Sequence, residues 1–379
     1  SSYGTLDLPS LGWSQLAKLG SKAAVMWARV NCNTPFPGLG LRRALAVPTW
    51  HNMAGRGPRR FGAWRPGAGG AGVAAAATVA LSRSHGAPLQ LRAVATATAP
   101  GVEEGMGVKA AAAVLERAGL EVELVQCLSD NYCPVFHHAA SGATFVMDTP
   151  EASPIAAALK RRGWTLTHIL NTHYHGDHVG GNMELKAQFP GVKIVGHYGT
   201  EMESIPGIDK EVAEGDEVQC GALTAHVLEV GGHTACHIAY FFPEVPMALT
   251  GDALFTLGCG RVFTGDFVRM QASLGKLRNL PDETLVFCSH EYTKSNADFA
   301  VKVEPQNSAL LARHAAVQRM REAKVATVPT ILKHEKATNP FLRWDVPEVQ
   351  KAAGAQDAAQ VFTAIRRWKD TGNPPVARL

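Results

Sequence analysis

The chain has 379 residues, enough for about two domains, and it carries 37 basic and 33 acidic side chains. The charge is unevenly divided: residues 1–102 hold eleven Lys or Arg and one acid, Asp7, whereas the rest of the chain holds 26 basic and 32 acidic residues. The acidic balance beyond residue 102 argues against nucleic acid as a partner, because polyanions are bound by clustered basic side chains.

The first hundred residues are rich in Ala, Gly, Arg, Ser and Pro and show no steady apolar period. A basic, acid-poor composition of this kind is typical of an organelle transit peptide. A basic nucleic-acid-binding tail is the alternative, but the arginines are scattered and no aromatic side chains are interleaved with them. We therefore expect residues 1–105 to be a disordered transit peptide for an organelle matrix or stroma, with the mitochondrion favoured over the plastid.

Two further features bear on the compartment. The most apolar stretch of this region, 71–81, is too short for a bilayer, which needs about 20 residues, so we predict no membrane anchor. The cysteine count is odd and no Cys-x-x-Cys pair occurs, which argues against a disulfide scaffold and favours a reducing compartment. The seven cysteines are Cys32, Cys127, Cys133, Cys220, Cys236, Cys259 and Cys288.

Ordered structure is predicted to begin near Gly107, with a helix over 108–118. A strand follows over 120–128, in which Val122 and Leu124 alternate with Glu121 and Glu123. Further strands are predicted at 133–137, 143–147, 166–171, 193–197, 238–242 and 247–250, a hairpin at 217–230, and helices at 154–162 and 182–189. This alternation predicts two sheets packed face to face with helices outside.

The predicted strand 166–171 leads directly into the heptad Thr-His-Tyr-His-Gly-Asp-His at 172–178. His173 and His175 stand two apart, so their side chains point to one side of an extended segment, and Asp177 and His178 face a neighbouring position. Four ligands from so short a loop suit two ions better than one. A solvated histidine-rich loop is the alternative, but such compact clusters usually bind metal. The heptad therefore predicts a two-metal site.

More ligand types follow apolar runs later in the chain. His233 and His237 lie in Gly-Gly-His-Thr-Ala-Cys-His at 231–237, Asp252 follows Thr-Gly, and His290 follows the run 285–287. Each alone would more often be an ordinary loop residue. Together with the heptad they supply the seven groups that two hydrolytic metals require, counting one bridging carboxylate.

These residues carry a family resemblance. The heptad, Gly-His-Thr, Thr-Gly-Asp and Ser-His-Glu-Tyr resemble the metallo-β-lactamase fold. More particularly, the segments 128–132, 258–261, 290–293 and 339–343 resemble hydroxyacylglutathione hydrolase, also called glyoxalase II. The resemblance covers about 122–369. It implies an α/β (α+β) αββα sandwich at residues 106–295, followed by a C-terminal helical glutathione-binding domain at 296–379.

The resemblance also implies the ligand set. One metal would take His173, His175 and His233, the other would take Asp177, His178 and His290, and Asp252 would bridge them. His237 would hold a loop by hydrogen bonds. We expect two divalent ions per chain, with zinc favoured and iron or manganese as alternatives.

The implied activity is hydrolysis of S-D-lactoylglutathione to D-lactate and glutathione, in methylglyoxal detoxification, by a monomeric binuclear enzyme. Two divalent ions lower the pKa of a shared water and so supply a nucleophile for the thioester, which Asp177 would help to orient. Arg366 and Lys369 match the family's residues that bind the glycine carboxylate of glutathione. Tyr292 and Arg261 would complete the pocket by contacting the backbone of the tripeptide.

Three positions depart from the family pattern: Phe263 replaces a tyrosine that hydrogen-bonds glutathione, Cys236 replaces a glycine, and Ala253 replaces a threonine. The alternative function is a mononuclear iron persulfide dioxygenase of the same fold. That family generally lacks the basic C-terminal helix present here, so the C-terminal region distinguishes the two.

Overall fold

The computed structural model describes residues 106–200 and 202–375. The strands are β1 Leu120–Cys127, β2 Asn131–His138, β3 Ala143–Met147, β4 His168–Leu170, β5 Lys193–His197, β6 Lys210–Val212, β7 Glu217–Cys220, β8 Leu223–Glu229, β9 Ile238–Phe242, β10 Met247–Gly251, β11 Leu254–Phe255, β12 Gly258–Cys259, β13 Leu285–Cys288 and β14 Thr330–Ile331. The helices are α1 Met106–Arg117, α2 Ala152–Arg162, α3 Gly176–Val179, α4 Asn182–Gln188, α5 Phe267–Arg278, α6 Thr293–Val303, α7 Ser308–Glu322, α8 Leu332–Thr338, α9 Pro347–Ala353 and α10 Ala358–Thr371, with a 3-10 turn at Pro340–Leu342.

The first sheet has the strand order β1-β2-β3-β4-β5-β6. Its first three strands are antiparallel, and β3 to β6 run parallel to one another. Because β2 begins at the edge where β3 and β4 end, the β1–β2 turn lies beside the segment that follows β4. That segment is the heptad.

The second sheet has the order β14-β13-β10-β9-β8-β7. Strands β8 and β10 are each antiparallel to β9, and β13 is parallel to β10. The carboxyl ends of β8, β10 and β13 therefore meet at one edge, and His233, Asp252 and His290 follow them. This topology explains why residues far apart in sequence can share one site.

Aromatic side chains fill the space between the sheets. The Phe136 ring stacks on Phe145 at 5.0 Å, Phe145 stacks on Phe242 at 5.2 Å, and Phe136 meets Phe287 edge-on at 5.1 Å. Burying one such side chain stabilises the fold by about 1.5–3 kcal/mol. Separate apolar clusters join α2 and α4 to the first sheet, and α5 and α10 to the second, which completes the expected αββα layering.

The predicted hairpin at 217–230 is confirmed as β7 and β8, and the predicted strand at 166–171 shortens to His168–Leu170. Glu123 alternates with the apolar residues Val122 and Leu124 in sequence, yet it is buried in the structure. Its side chain is 1% exposed and forms ion pairs with Arg161 and Arg162, because α2 covers that face of β1. The short strands β6 and β14 carry too few residues for a recognisable apolar period and were missed.

No helix within the described ranges is long and apolar enough to cross a membrane. Five of the six cysteines in these ranges are buried, and all six are free thiols. Cys32 and the expected transit peptide at residues 1–105 lie outside the described residues.

Candidate metal centre

The heptad brings two histidines to a third from the second sheet. His173 Nε2 lies 3.0 Å from His175 Nδ1, and His233 Nε2 lies 3.2 Å from the same atom. These three nitrogens form a compact donor group, called here the His233 site. His173 is fully buried, His233 is 4% exposed and His175 is half-buried, so the group lies mostly beneath the protein surface.

A second donor group, called here the His290 site, lies beside the first. Asp177 and His178 were expected on a turn, and they lie in the short helix α3, where His178 is buried and the Asp177 side chain is 42% exposed. Asp177 Oδ2 lies 3.6 Å from His178 Nε2 and 3.5 Å from His290 Nε2. The three atoms converge closely enough to coordinate one ion.

Asp252 lies between the two sites. Its Oδ2 is 3.5 Å from His233 Nε2, while its Oδ1 is 3.6 Å from His178 Nε2 and 3.4 Å from His290 Nε2. One carboxylate oxygen therefore faces each donor group. This is the arrangement that a bridging ligand needs, and the seven side chains together are called the metal cluster below.

The hydrogen bonds around the cluster fit a pair of cations. Nδ1 of His178 contacts Asp148, Nδ1 of His290 contacts Asp130, and Nδ1 of His233 contacts the Arg261 carbonyl, each at 2.8 Å. Such outer partners fix the ring and leave its other nitrogen free for metal. Among the described residues, His178 Nε2 and Asp252 Oδ1 are buried without any hydrogen-bond partner. Buried orphan acceptors are costly, and two metal ions would satisfy them.

The electrostatics keep the His233 site neutral. Burial lowers the pKa of His173 well below its ordinary value, and the neighbouring imidazoles of His178 and His237 lower it further. Burial also lowers the pKa values of His175 and His233. The neutral imidazole is the form that binds metal, so this site is prepared for an ion at neutral pH.

The His290 site is surrounded by carboxylates. Burial opposes the charged form of His178, but Asp252 and Asp148 outweigh it and raise its pKa to about 9. Burial likewise opposes ionisation of Asp177, yet the charge of His178 and a hydrogen bond from Asn131 hold the pKa of Asp177 below its usual value. The site therefore attracts positive charge, which a proton or a metal ion can supply.

Sequence reasoning missed several residues that hold these ligands. Asp148 is buried, and its carboxylate accepts from Thr172 N and Oγ1, each at 2.8 Å, as well as contacting His178. Its φ of 56° lies in the left-handed region. One signal was available, since Asp148 directly follows an apolar strand, as Asp252 does. Asp130 and Asn131 follow the predicted strand 120–128 and lie in the family-like segment 128–132, but Ser-Asp-Asn is also an ordinary turn sequence, so they were given no role.

His237 has the role that the resemblance implied. Its Nε2 accepts a hydrogen bond from the backbone N–H of Asp252 at 3.2 Å, and its ring stacks on His173 at 4.7 Å. It therefore holds the bridging residue through the backbone and does not join either donor group.

The predicted substrate cations lie in two places, directly after β12 and on helix α10. Arg261 follows β12, and its exposed side chain brings Nε within 3.7 Å of Asp370 on α10. Arg366, also on α10, is only 4% exposed and donates to the Cys259 carbonyl at 3.1 Å and to Asp370 at 2.8 Å. Lys369 donates to the side chain of Asn296. Arg261, Arg366 and Lys369 are called the cation group below.

The cation group is joined to the metal cluster by the chain itself. Gly260 lies between Cys259 and Arg261, and a Cβ at Gly260 would lie 1.9 Å from the Asp252 carbonyl oxygen. Only glycine allows the loop to approach so closely. Movement of the loop would therefore disturb both Arg261 and the bridging carboxylate.

Two aromatic rings flank the metal cluster. The Tyr292 ring stacks on His290 with centroids 4.6 Å apart and an interplanar angle of 2°. Phe263 is 61% exposed and lies edge-on to His233 at 5.2 Å and to His175 at 5.8 Å.

The sequence matches two family models that meet at residue 290. The model described as "Metallo-beta-lactamase superfamily" matches residues 141–290, and the one described as "Hydroxyacylglutathione hydrolase C-terminus" matches residues 291–372. The metal cluster thus falls within the first match. Three members of the predicted substrate set, Tyr292, Arg366 and Lys369, fall within the second.

Curated relatives extend this similarity to full-length proteins. A protein from Methylococcus capsulatus named hydroxyacylglutathione hydrolase is 48% identical over 253 residues, which cover 66% of this chain and 98% of that protein. One of the same name from Hyphomonas neptunium is 47% identical over 252 residues, with the same coverage of both chains. Among solved structures, ETHE1 from Myxococcus xanthus is 24% identical, with a TM-score of 0.48 and coverage of 69% of this chain and 93% of that one.

Proposed function

Because the chain belongs to the hydroxyacylglutathione hydrolases of the metallo-β-lactamase superfamily, we propose that it hydrolyses 2-hydroxyacyl thioesters of glutathione, with S-D-lactoylglutathione as substrate. One observation carries the proposal: the segment 252–261 connects the seven-ligand cluster to the cation group. It begins with the ligand Asp252 and ends with Arg261, and Arg366 on α10 donates to Cys259 within it. The cluster suits hydrolysis, and fixed cations suit a peptide that carries two carboxylates.

The metal cluster would hold two divalent ions through the His233 site, the His290 site and Asp252. When bound, such a pair lowers the pKa of water towards neutrality and stabilises negative charge that develops on a carbonyl oxygen. We propose zinc as the metal, since imidazole and carboxylate ligands suit it, with iron or manganese as alternatives.

Asp177 is the residue best placed to orient the attacking water. Its side chain is 42% exposed, whereas that of Asp252 is 9% exposed, so Asp177 is the more accessible of the two carboxylates to solvent water. Asn131 Nδ2 lies 3.4 Å from Asp177 Oδ2 and 3.0 Å from the Asp177 carbonyl oxygen, which fixes the carboxylate. Because a thiolate leaves more readily than an amine, the reaction needs no strong general acid.

The C-terminal match favours the hydrolase over the persulfide dioxygenase alternative, since the basic helix that distinguishes them lies within residues 291–372. The decisive experiment is a thioester hydrolysis assay on the purified protein, together with elemental analysis. We expect hydrolysis of S-D-lactoylglutathione by protein containing two metal ions per chain. Metal-replete protein without glutathione thioesterase activity would contradict the proposal.

We also propose that residues 1–105 direct import into an organelle matrix, with the mitochondrion favoured. The support is the basic, acid-poor composition of this segment. A fluorescent protein carrying residues 1–105 should accumulate in the organelle, and deletion of residues 1–100 should leave thioesterase activity and thermal stability nearly unchanged. Diffuse fluorescence, or a deletion variant that loses its metals, would contradict this proposal.

A further inference from the structure

Glu291 follows the ligand His290 directly, and its carboxylate is surrounded by donors. Tyr132 Oη donates to Oε2 at 3.1 Å, Thr327 N donates to Oε2 at 3.0 Å, and Thr327 Oγ1 donates to Oε1 at 2.7 Å. Arg321 Nη1 lies 3.1 Å from Oε2, and the Glu291 side chain is 6% exposed. Four donors match the acceptor capacity of a carboxylate, so the side chain is held from all sides.

These donors come from two separate regions. Tyr132 lies in β2, next to the β1–β2 turn, whereas Arg321 and Thr327 lie at and just beyond the end of α7. Glu291 therefore connects the turn to the C-terminal region. Both connections use buried side chains, since Tyr132 is 3% exposed and Thr327 is 7% exposed.

The turn that Glu291 holds is the one that orients the His290 site. Asp130 Oδ1 contacts His290 Nδ1 at 2.8 Å, and the Asp130 carbonyl accepts from Glu291 N at 2.9 Å. Asn131 forms an isolated β-bridge with His290 and donates to Asp177. Two of the three ligands of this site thus depend on the turn, whereas the His233 site is held by the Arg261 carbonyl and Thr172.

We propose that Glu291 is a positioning residue through which the C-terminal region fixes the geometry of the His290 site, and not that of the His233 site. The inference rests on the proposed two-metal function. Replacing the carboxylate by an amide removes the negative charge that pairs with Arg321 and leaves one acceptor oxygen, which cannot accept from all four donors. The turn then loses its anchor, and Asp130 and Asn131 hold their ligands less firmly.

The test is a zinc titration of metal-free full-length protein in competition with a chromophoric chelator. The parent should show two binding steps, and His290→Ala identifies which of them belongs to the His290 site. We expect Glu291→Gln to weaken that step at least about tenfold, the effect usual for outer partners of metal ligands, and to leave the other step unchanged. Thr327→Val, which removes one donor, should weaken the same step by a smaller factor.

Glu304→Gln is the matched control. Glu304 is 3% exposed and accepts from Arg343 Nε at 2.8 Å and from Nη2 at 2.9 Å, so it is another buried glutamate with an arginine partner in the C-terminal region. The Glu304→Gln substitution should lower the melting temperature without changing the zinc affinity of either binding step. The inference would be overturned if Glu291→Gln bound zinc in both steps with the parent's affinities. It would also be overturned if Glu291→Gln and Glu304→Gln each weakened both steps to the same extent.

Two other outcomes are separable. If Glu291→Gln does not fold, Thr327→Val decides: selective weakening of the His290 step supports the inference, and two unchanged steps overturn it. A parent protein that binds fewer than two zinc ions would overturn the proposed metal pair, and the inference with it. Two parent steps with no selective effect of Glu291→Gln would overturn the inference alone.

Discussion

The metal cluster and the cation group differ in how their polar atoms are satisfied. In the metal cluster the outer nitrogens of His178, His233 and His290 are hydrogen-bonded, while inward-facing acceptors remain without partners. In the cation group most donors already have partners on the protein: Arg366 donates to Cys259 and Asp370 and Lys369 donates to Asn296, although the buried Arg366 Nε has none.

We expect this difference to separate chemistry, in the metal cluster, from substrate binding, in the cation group. Unsatisfied converging acceptors require a ligand, and the chemistry depends on it. Side chains with internal partners hold the shape of the loop, and in the proposed function they would exchange or share those partners with a substrate. Changes in the first region should therefore reduce kcat, and changes in the second should mainly raise KM.

The largest effect is expected from Asp252→Ala. Without the bridging carboxylate two cations would repel each other, so we expect fewer than two metal ions per chain and a loss in kcat/KM of about a thousandfold or more, equivalent to roughly 4 kcal/mol. Elemental analysis and steady-state kinetics measure both. Asp345→Ala removes an exposed carboxylate paired with Arg278 and serves as control. If the Asp252 variant kept two metal ions and full activity, the metal cluster would not differ from the cation group in the way described.

Arg366→Ala tests the second region. Loss of a hydrogen bond to a charged group costs about 1.5–3 kcal/mol, so KM for the glutathione thioester should rise roughly ten- to hundredfold while kcat changes far less. Arg367→Ala is the control, because Arg367 is exposed, lies next in the same helix and has the same charge. Equal KM values for the parent and an Arg366→Ala, Lys369→Ala double variant would refute substrate binding by this pair.

The pH dependence of KM tests whether the Lys369 ammonium binds the substrate. Burial and the charge of Arg366 lower the pKa of Lys369 to about 8. Only the protonated ammonium attracts a carboxylate, so affinity is present below this pKa and is lost as the pH rises through it. We expect KM to rise up to about fivefold between the pKa and one pH unit above it, a limit set by the titration of one group. Lys369→Gln should abolish this rise, and a rise of the same size in that variant would assign it to another group.

The smallest effect is expected from Phe263→Tyr. The added hydroxyl restores the hydrogen bond to glutathione that the family resemblance implies, worth about 0.5–1.5 kcal/mol, so KM should fall roughly two- to tenfold. Phe263→Leu keeps the position apolar and provides the comparison. A tyrosine variant with the same KM as the parent would show that the position does not contact the tripeptide.

Much of the fold and site could be predicted locally. The heptad indicated a two-metal site because its ligand spacing is short, and the strands before His233, Asp252 and His290 were recognisable as apolar runs. The burial of Glu123 could not be predicted in this way, because strand alternation does not reveal that α2 brings Arg161 and Arg162 over that face.

The sequence by itself determined the ligand types, their order and the strands that deliver them, because these depend on neighbouring residues. The tertiary structure decided which partners hold them. Asp130 and His290 are 160 residues apart, yet their side chains lie 2.8 Å from each other, and Arg366 reaches Cys259 across 107 residues. No local pattern encodes such contacts, because they arise only when both sheets and the C-terminal helices have packed together.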